Sequence, residues 1–315
     1  MSSPEVIYAW RWLIRDTFRQ SRASYVLWVM LAASAVVIIF CLSVNIEGGE
    51  PLRPPDDVEV RPVHGHMALA FGAWRIPLFR DGQAQIHFML LLLAEWIAGA
   101  GGTLLALVWT AGFMPEFLQP ANATVLVSKP IPRWVLLLGK YLGVVAFAGF
   151  QVTVFIVGTW LALGLRTGFW VHSYLWGIPL LLLHFAAVYS FSVFLAVWTR
   201  STLACVIGSV AFWFLCWGMN YGRHCLLALE SAMPPLHSVL HGLVEAGYWI
   251  LPKPVDLGMM LHRALDAGDS FSSLAELQKV QELGAFYPGF SLLTSLLFAI
   301  GMIVVAARQL AATDY

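Results

Sequence analysis

The chain has 315 residues, of which 59% are hydrophobic and only 11% are charged, and its mean hydropathy is +0.75. A soluble domain carries about 25% charged residues to cover its water-facing surface, so this composition excludes an ordinary soluble protein and predicts an integral membrane protein. The formal net charge is zero, so no nucleic acid is expected as a partner.

Residues 1–24 predict an amphipathic helix lying on the membrane surface. Ser3 and Pro4 suit its first positions. At helical spacing, apolar side chains fall on one face and four arginines on another: Ile7, Trp10, Leu13, Ile14 and Phe18, against Arg11, Arg15, Arg19 and Arg22. A basic face beside an apolar face containing Trp is typical of the cytoplasmic interface. The alternative is a soluble helix packed on a partner.

Apolar segments along the chain predict six membrane-spanning helices, because a hydrocarbon core of roughly 30 Å needs about 20 helical residues. The predicted spans are about 25–44, 88–114, 135–165, 174–198, 203–219 and 290–307. The segments 45–87 and 220–288 are predicted as outer loops. The fold class is therefore an all-α integral membrane protein with one transmembrane domain over residues 1–315.

The charges that flank the spans predict the orientation. The N-terminal helix, the 115–140 segment, the 199–202 turn and the tail hold nine Lys/Arg against four Asp/Glu. The opposite side holds nine Lys/Arg, spread over nearly twice as many residues, against thirteen Asp/Glu. Basic residues near span ends favour the cytoplasm, so both termini are predicted there, in a multi-pass protein of the cell (cytoplasmic) membrane.

Glu95 is the acid that the sequence places well inside a predicted span. A carboxyl group at that depth is costly and indicates a functional site. It is predicted to line a substrate path or to pair with Lys140 or His184. The alternatives are a structural hydrogen bond between helices and a carboxyl that stays protonated.

Cysteines and histidines give little evidence of other chemistry. Cys41 and Cys225 fall near the outer face, where either a disulfide or two free thiols fit the sequence. Two histidine pairs, His64 with His66 and His237 with His241, have spacings found in metal sites, but no cysteine joins them, and no metal site is predicted.

The segment 115–143 reads PEFLQPANATVLVSKPIPRWVLLLGKYLG and lies between the second and third predicted spans. Two prolines, Pro130 and Pro132, force a turn there because each fixes its own φ and restricts the preceding residue. A short foot parallel to the membrane, joined to two long helices, suits the transfer of force from a cytoplasmic partner. An ordinary cytoplasmic loop is the alternative. The sequence has no phosphate-binding loop, so any ATP would be hydrolysed by another chain.

This segment resembles the signature of the ABC transporter type-2 permease family. Thr124, the run Val127-Ser128-Lys129-Pro130, Arg133 and the run Gly139-Lys140-Tyr141-Leu142-Gly143 match that signature, and Glu116 corresponds to its acid. An amphipathic N-terminal helix, six spans and a long mixed region before the last span also agree with the family.

The resemblance implies a permease subunit that moves a substrate, with export expected, using ATP and Mg²⁺ bound by a separate subunit. Two ATP-binding subunits and a second permease, the same chain or a related one, are the implied partners beside membrane lipids. The chain itself is then no enzyme and binds no cofactor. The implied ATPase-coupling residues are Glu116, Thr124, Ser128, Lys129, Pro130 and Arg133, and Gly139, Lys140 and Gly143 serve helix packing and coupling.

The resemblance also implies a re-entrant helical hairpin within 220–288, where a plain surface domain is the alternative. Two other functions fit a membrane protein of this composition: a secondary transporter or channel, and a membrane enzyme or scaffold without transport. The first would need more coupling charges inside the membrane than Glu95. An enzyme would need clustered His, Asp or Glu near one interface.

Overall fold

A computed structural model describes residues 3–48, 65–77, 82–119, 132–229, 238–265 and 275–312. Helices dominate these residues. They are α1 (Ser3–Ala23), α2 (Val26–Leu42), α3 (Gly82–Leu92), a π-helical segment (Leu93–Gly102), α4 (Thr103–Thr110), α5 (Phe113–Phe117), α6 (Arg133–Thr167), a 3-10 turn (His172–Trp176), α7 (Gly177–Thr199), α8 (Thr202–Leu229), α9 (Ser238–Ile250), α10 (Pro254–Ala264), α11 (Ala275–Glu282) and α12 (Pro288–Ala312).

Within the described residues, five helical segments are long and apolar enough to cross a membrane. They are Gly82–Phe117, Arg133–Thr167, His172–Thr199, Thr202–Ala228 and Pro288–Ala312. Helices α1 and α2 form a pair bent by 74° that supplies a sixth when it is counted as one span. The protein is therefore a helical membrane protein with five or six spans.

The helices extend beyond the apolar segments that predicted them. The second span begins at Gly82 instead of about residue 88, and the fifth runs to Leu229 instead of about 219. The helical hydrogen bonds continue beyond the apolar segments, because the additional turns pack against neighbouring helices. The described part of 220–288, predicted as an outer loop with an implied helical hairpin, is mostly helix.

Helices α1 and α2 meet at a sharp bend. Tyr25 has φ +61°, the left-handed conformation, and it separates the two helices. On the N-terminal side of this bend, α1 packs along the first turns of α6. Leu13 and Thr17 of α1 are fully buried in this contact. The four arginines of α1 are exposed.

A small antiparallel sheet follows α2, where the sequence predicted only loop. Its strands are β1 (Asn45–Gly48), β2 (Gly65–Leu69) and β3 (Trp74–Pro77), in the order β1-β2-β3. Ile46 pairs with Met67, and Met67 pairs with Ile76. The described residues are thus mainly helical, in agreement with the all-α prediction, and carry one three-stranded sheet that the sequence did not predict.

The long helices run alternately between two ends of the bundle. At the α1 end, Gln20 contacts Glu116, and Arg133 contacts the last turn of α12 at Leu310. At the sheet end, Gly82 lies beside Ile46 and Phe169. Five of the predicted spans therefore correspond to long apolar helical segments that join these two ends, and the first corresponds to α2, which counts as a span only together with α1.

Helices α9 and α10 form a hairpin that enters the bundle from the sheet end. On its descending arm, Gly247 lies against Met219 of α8. At its tip, Leu251-Pro252-Lys253, Lys253 bonds to Thr294 of α12. On its returning arm, Leu261 lies near Gly177 at the start of α7. The tip therefore reaches the second turn of α12, and the two arms pack against α8 and the start of α7.

Candidate functional site

Glu95 lies at a cavity between the π-helical segment, α8 and α10. Its Oε2 is 3.4 Å from Nε2 of His262, and its Oε1 fills the notch left by Gly258, where a Cβ would come within 2.4 Å of that oxygen. The expected partners Lys140 and His184 were wrong, because Lys140 bonds to α1 and His184 accepts the indole N–H of Trp213. His184 nevertheless lines the same cavity as Glu95.

The helix that carries Glu95 is widened from Leu93 to Gly102. π-Helical turns are rare and occur frequently at functional sites. Two glycines accommodate the wide turns: a Cβ on Gly99 would approach the Ala94 carbonyl oxygen at 3.0 Å, and one on Gly102 would approach that of Ile97 at 3.3 Å. The closely spaced glycines Gly99, Gly101 and Gly102 are the sequence pattern that accompanies this widening of the helix.

The widened segment forms a wall between two cavities. The cavity beside Glu95 has a volume of about 370 Å³, and a second one of about 450 Å³ lies on the other side, against α2 and α6. Trp96 stands at the edge of both. Volumes of roughly 300–1,000 Å³ are typical of small-molecule sites.

A buried polar network fixes the hairpin next to this cavity. Asp256, which is fully buried, accepts hydrogen bonds from four side chains: Asn220 at 2.8 Å, Tyr248 at 2.8 Å, His224 at 2.7 Å and Ser291. These donors come from α8, α9 and α12. One carboxylate therefore joins three helices to α10.

Asn220 also caps α10 from a neighbouring helix. Its Oδ1 accepts the backbone N–H groups of Val255 and Asp256 at 2.8 and 3.0 Å. The first turn of a helix leaves its N–H groups without partners within the helix, so this side chain replaces a local cap. Sequence reasoning missed Asn220 because a cap supplied from 35 residues away has no local signature.

Four charged side chains lie around this network. Arg223 donates to Glu245 at 2.8 Å and lies 4.0 Å from the Tyr248 ring centre, and Lys253 bonds to Thr294 and lies 4.8 Å from the same ring. The two cations match the two acids Glu245 and Asp256 in number. Charge balance of this kind is what a buried cluster requires, since an unpaired buried charge is very costly.

The surroundings shift the pKa values of the hairpin groups. Burial raises the pKa of Asp256, but the bonds from His224, Asn220 and Ser291 outweigh burial and hold that pKa below its usual value. Burial lowers the pKa of Lys253 to about 8, although the nearby Asp256 carboxylate opposes this shift. Asp256 is therefore ionised at neutral pH, and Lys253 can lose its proton in mildly alkaline solution.

At the α1 end, a second polar chain connects the predicted coupling segment to two helices. Gln20 donates to Glu116 at 2.6 Å and accepts from Lys140 at 2.8 Å, and Lys140 also bonds to Asp16 at 3.2 Å. Lys140 is buried, and its ammonium lies 5.5 Å from the Phe117 ring centre. The end of the second span, α1 and α6 are thereby joined.

The glycines predicted for helix packing lie where α1 meets α6. A Cβ on Gly139 would come within 2.4 Å of Leu13, and one on Gly143 within 2.5 Å of the Thr17 hydroxyl. Arg133, at the start of α6, donates to the Leu310 carbonyl at the end of α12 at 3.1 Å. The other predicted coupling residues, Thr124, Ser128, Lys129 and Pro130, lie outside the described residues.

The remaining sequence hypotheses concern cysteines and metals. All four cysteines are free, so Cys41 and Cys225 do not form a disulfide. Of the two histidine pairs, His64 and His237 lie outside the described residues; Glu245, an acid one helical turn after His241, is held by Arg223 and Trp249. Across the described ranges, no group of three or more His, Cys, Asp or Glu side chains is placed to hold a metal ion.

Fold and site together define a helical membrane protein with an acid-containing cavity beside a hairpin that enters the bundle. Comparisons with protein-family models, with curated proteins and with solved structures found no match.

Proposed function

We propose that this chain is the permease subunit of an ABC transporter, which moves a substrate across the cell membrane with ATP hydrolysed by a separate subunit. In this proposal the α1 end faces the cytoplasm and the sheet end faces outward. The segment between the second and third spans acts as the coupling helix, and export is the direction of transport.

The observation that carries the proposal is the polar chain Glu116–Gln20–Lys140–Asp16. A partner that pushes on the segment after Glu116 acts directly on α1 and α6, because hydrogen bonds join all three. The Arg133–Leu310 bond extends this connection to α12. A force applied at one small surface thus reaches the ends of several spans, as ATP-driven alternation between two states requires.

The Glu95 cavity gives the proposal a candidate substrate path. It lies beside the hairpin, which Asp256 of α10 bonds to α8, α9 and α12. A tilt of the hairpin relative to α8 would change the width of the cavity. In this proposal, one end of the bundle therefore receives the force and the other half contacts the substrate.

The test is purification from the native host in mild detergent, with mass spectrometry of the chains that co-purify. We expect a soluble chain with an intact phosphate-binding loop in a one-to-one ratio. Lys129→Glu and Arg133→Glu should each reduce its recovery severalfold, because both reverse a charge at the proposed contact. Arg308→Glu is the matched control, since it makes the same reversal at an exposed position of the same end.

Repeated isolation of the chain without any ATPase, under conditions that keep it folded, would contradict the proposal. Equal recovery of the ATPase with Lys129→Glu and with the wild type would remove the coupling segment from the contact. Loss of the ATPase in the Arg308→Glu control would mean that the net charge of this end matters more than the segment itself.

A proton-coupled transporter is the second candidate, and the buried pair His224–Asp256 favours it. The pair lies among helices that must move relative to one another, and Nδ1 of His224 is buried without a hydrogen-bond partner. Together with Glu95 and His262, the structure thus offers more titratable groups than the sequence indicated. Transport in vesicles discriminates the two functions: uptake that needs ATP supports the permease, and uptake that a proton ionophore abolishes supports the alternative.

A further inference from the structure

The cavity beside Glu95 combines one acid with a largely aromatic and aliphatic wall. Its described lining contains a single formally charged side chain, that of Glu95, and its neutral polar contribution is small. The aromatic members are contributed by the widened helix and by α8: Trp96, Trp213, Phe214, Trp217 and Tyr221. Such a wall favours an apolar body, and the acid favours a positive charge on it.

Glu95 is placed to accept a ligand charge. Its side chain is 28% exposed, and His262, its partner in the structure, contacts one oxygen at the long distance of 3.4 Å. The two carboxyl oxygens therefore keep acceptor positions for a ligand on the cavity side. A ligand cation can share it with His262 or displace the imidazole.

The aromatic rings strengthen the same preference. Trp217 and Tyr221 stack at 5.3 Å between ring centres and 10° between planes, so they present a continuous aromatic surface along α8. The face of an aromatic ring attracts cations, most strongly for Trp and most strongly where water is excluded. A cation without a tight hydration shell gains from both the rings and the carboxylate.

The mouth of the cavity indicates the route by which a ligand arrives. Trp96, Phe214 and Trp217 are 64%, 55% and 41% exposed, and all three belong to membrane-crossing helices. In the single chain, the exposed surface of such helices is available to lipid. A molecule that reaches the mouth from this side must itself be soluble in the bilayer, which disfavours a hydrated metal ion or a sugar.

We propose that the Glu95 cavity binds lipophilic organic cations, molecules with one delocalised or tertiary positive charge on an aromatic or aliphatic body, which enter from the bilayer. As a statement about what is transported, this rests on the permease function proposed above. As a statement about binding, it rests on the cavity alone. The cation lies between the Glu95 carboxylate and the Trp217–Tyr221 stack.

The test uses two nearly isosteric probes of opposite charge, tetraphenylphosphonium and tetraphenylborate. Purified full-length protein in lipid nanodiscs is titrated with each probe, and the quenching of Trp fluorescence is followed. Empty nanodiscs correct for partition of the probes into lipid. We expect saturable binding of the cation at least tenfold tighter than that of the anion.

Variants assign the binding to this cavity. Glu95→Gln keeps the shape and removes the charge, so it should reduce the preference for the cation at least tenfold and leave the anion unaffected or slightly favoured. Trp217→Leu should weaken the binding of the cation severalfold. Glu282→Gln, which removes an exposed carboxylate of α11, is the control and should match the wild type.

Equal binding of the two probes by the wild type would overturn the proposal, and this comparison needs no variant to fold. An unchanged preference in a folded Glu95→Gln variant would also overturn it. Because no ATPase is present in the titration, the outcomes separate. Cation binding without a co-purifying ATPase supports the site and contradicts the permease, whereas an ATPase partner without cation preference does the reverse.

Discussion

At the scale of single residues, Asp256 has the largest number of side-chain partners among the described groups of the hairpin. Its two oxygens accept from Asn220, His224, Tyr248 and Ser291, and each of these donors is buried. Buried donors without an acceptor are costly, so the energetic importance of Asp256 comes from what its loss would leave unpaired more than from any single bond.

Asp256→Ala should therefore destabilise the protein by about 3–5 kcal/mol, the range found when one partner of a buried charged pair is removed. The measurement is the thermal unfolding midpoint in mild detergent. Glu282→Ala, at an exposed carboxylate, should leave the midpoint within a degree or so of the wild type. A midpoint for Asp256→Ala equal to that of this control would show that the network contributes no net stability.

The buried Lys253 predicts a dependence of stability on pH. Its pKa is about 8 in the folded protein, against 10.5 for the unperturbed group. Between these values the unfolded chain binds more protons than the folded one, so stability rises with pH. The gain is bounded by about 3 kcal/mol, since one pKa unit corresponds to roughly 1.4 kcal/mol.

This dependence is measured as the difference in unfolding midpoint between pH 7.5 and pH 9.5 for the wild type and for Lys253→Met. The wild type should gain stability over this interval relative to the variant, because Met cannot lose a proton. Parallel pH curves for the two proteins would mean that Lys253 titrates at its ordinary value.

At the scale of elements, α1 is held to α6 by a close approach at two glycines. Gly143→Val should separate the helices, because the new side chain would occupy the space of Thr17 and would also approach the Leu13 carbonyl. Detachment would expose the polypeptide around Arg15 and Arg19, so we expect faster trypsin cleavage within α1. Gly301→Val is the matched control, since nothing lies within 4 Å of a Cβ there. Equal cleavage rates for Gly143→Val and Gly301→Val would contradict the close packing of α1 on α6.

The sequence predicted the elements that depend on hydrophobicity and missed those that depend on distant partners. Five of the six predicted spans correspond to helical segments long enough to cross a membrane, and α2 supplies the first together with α1, because a long apolar run determines a membrane helix almost by itself. The strands β1 and β2 were missed since each has only four or five residues, and sixteen residues separate them. A short strand is stabilised by its neighbour more than by its own composition.

The residues of the candidate site were also predicted where the signal is local and missed where it depends on a distant partner. Glu95 was found because an acid in an apolar run is conspicuous. Its partner His262 was not found, since the two lie 167 positions apart in the sequence and no local pattern relates them. Asn220 escaped for the same reason: its amide caps a helix that begins 34 residues later. The glycines at 99, 101 and 102 were visible, but their meaning as a widened turn depends on the backbone.

At the scale of the whole molecule, the alternation of helices between the two ends makes a topological prediction. The turn at Ser201 belongs to the α1 end, and Leu283, which follows α11, belongs to the sheet end. In a Cys225→Ser background, a membrane-impermeant maleimide added to intact cells should label Leu283→Cys and spare Ser201→Cys. Permeabilised cells should show labelling of both.

The reverse labelling pattern would invert the orientation and would move the Glu116–Gln20–Lys140 chain away from any cytoplasmic ATPase. Labelling of both positions in intact cells would contradict the crossing of α8 between them. The assay therefore tests the permease proposal at the level of architecture, independently of any partner.

The widened turn from Leu93 to Gly102 lies between two anchored parts of the second span. A helix whose two ends are held by packed neighbours can accept an inserted residue as a local bulge, because the rest of the helix then keeps its rotation and its contacts. Leu90 and Leu107, on either side of the segment, are both fully packed. The second span is therefore anchored on both sides of the widened turn, so a local change of the turn at Glu95 can leave the packing of the two flanking helices in place.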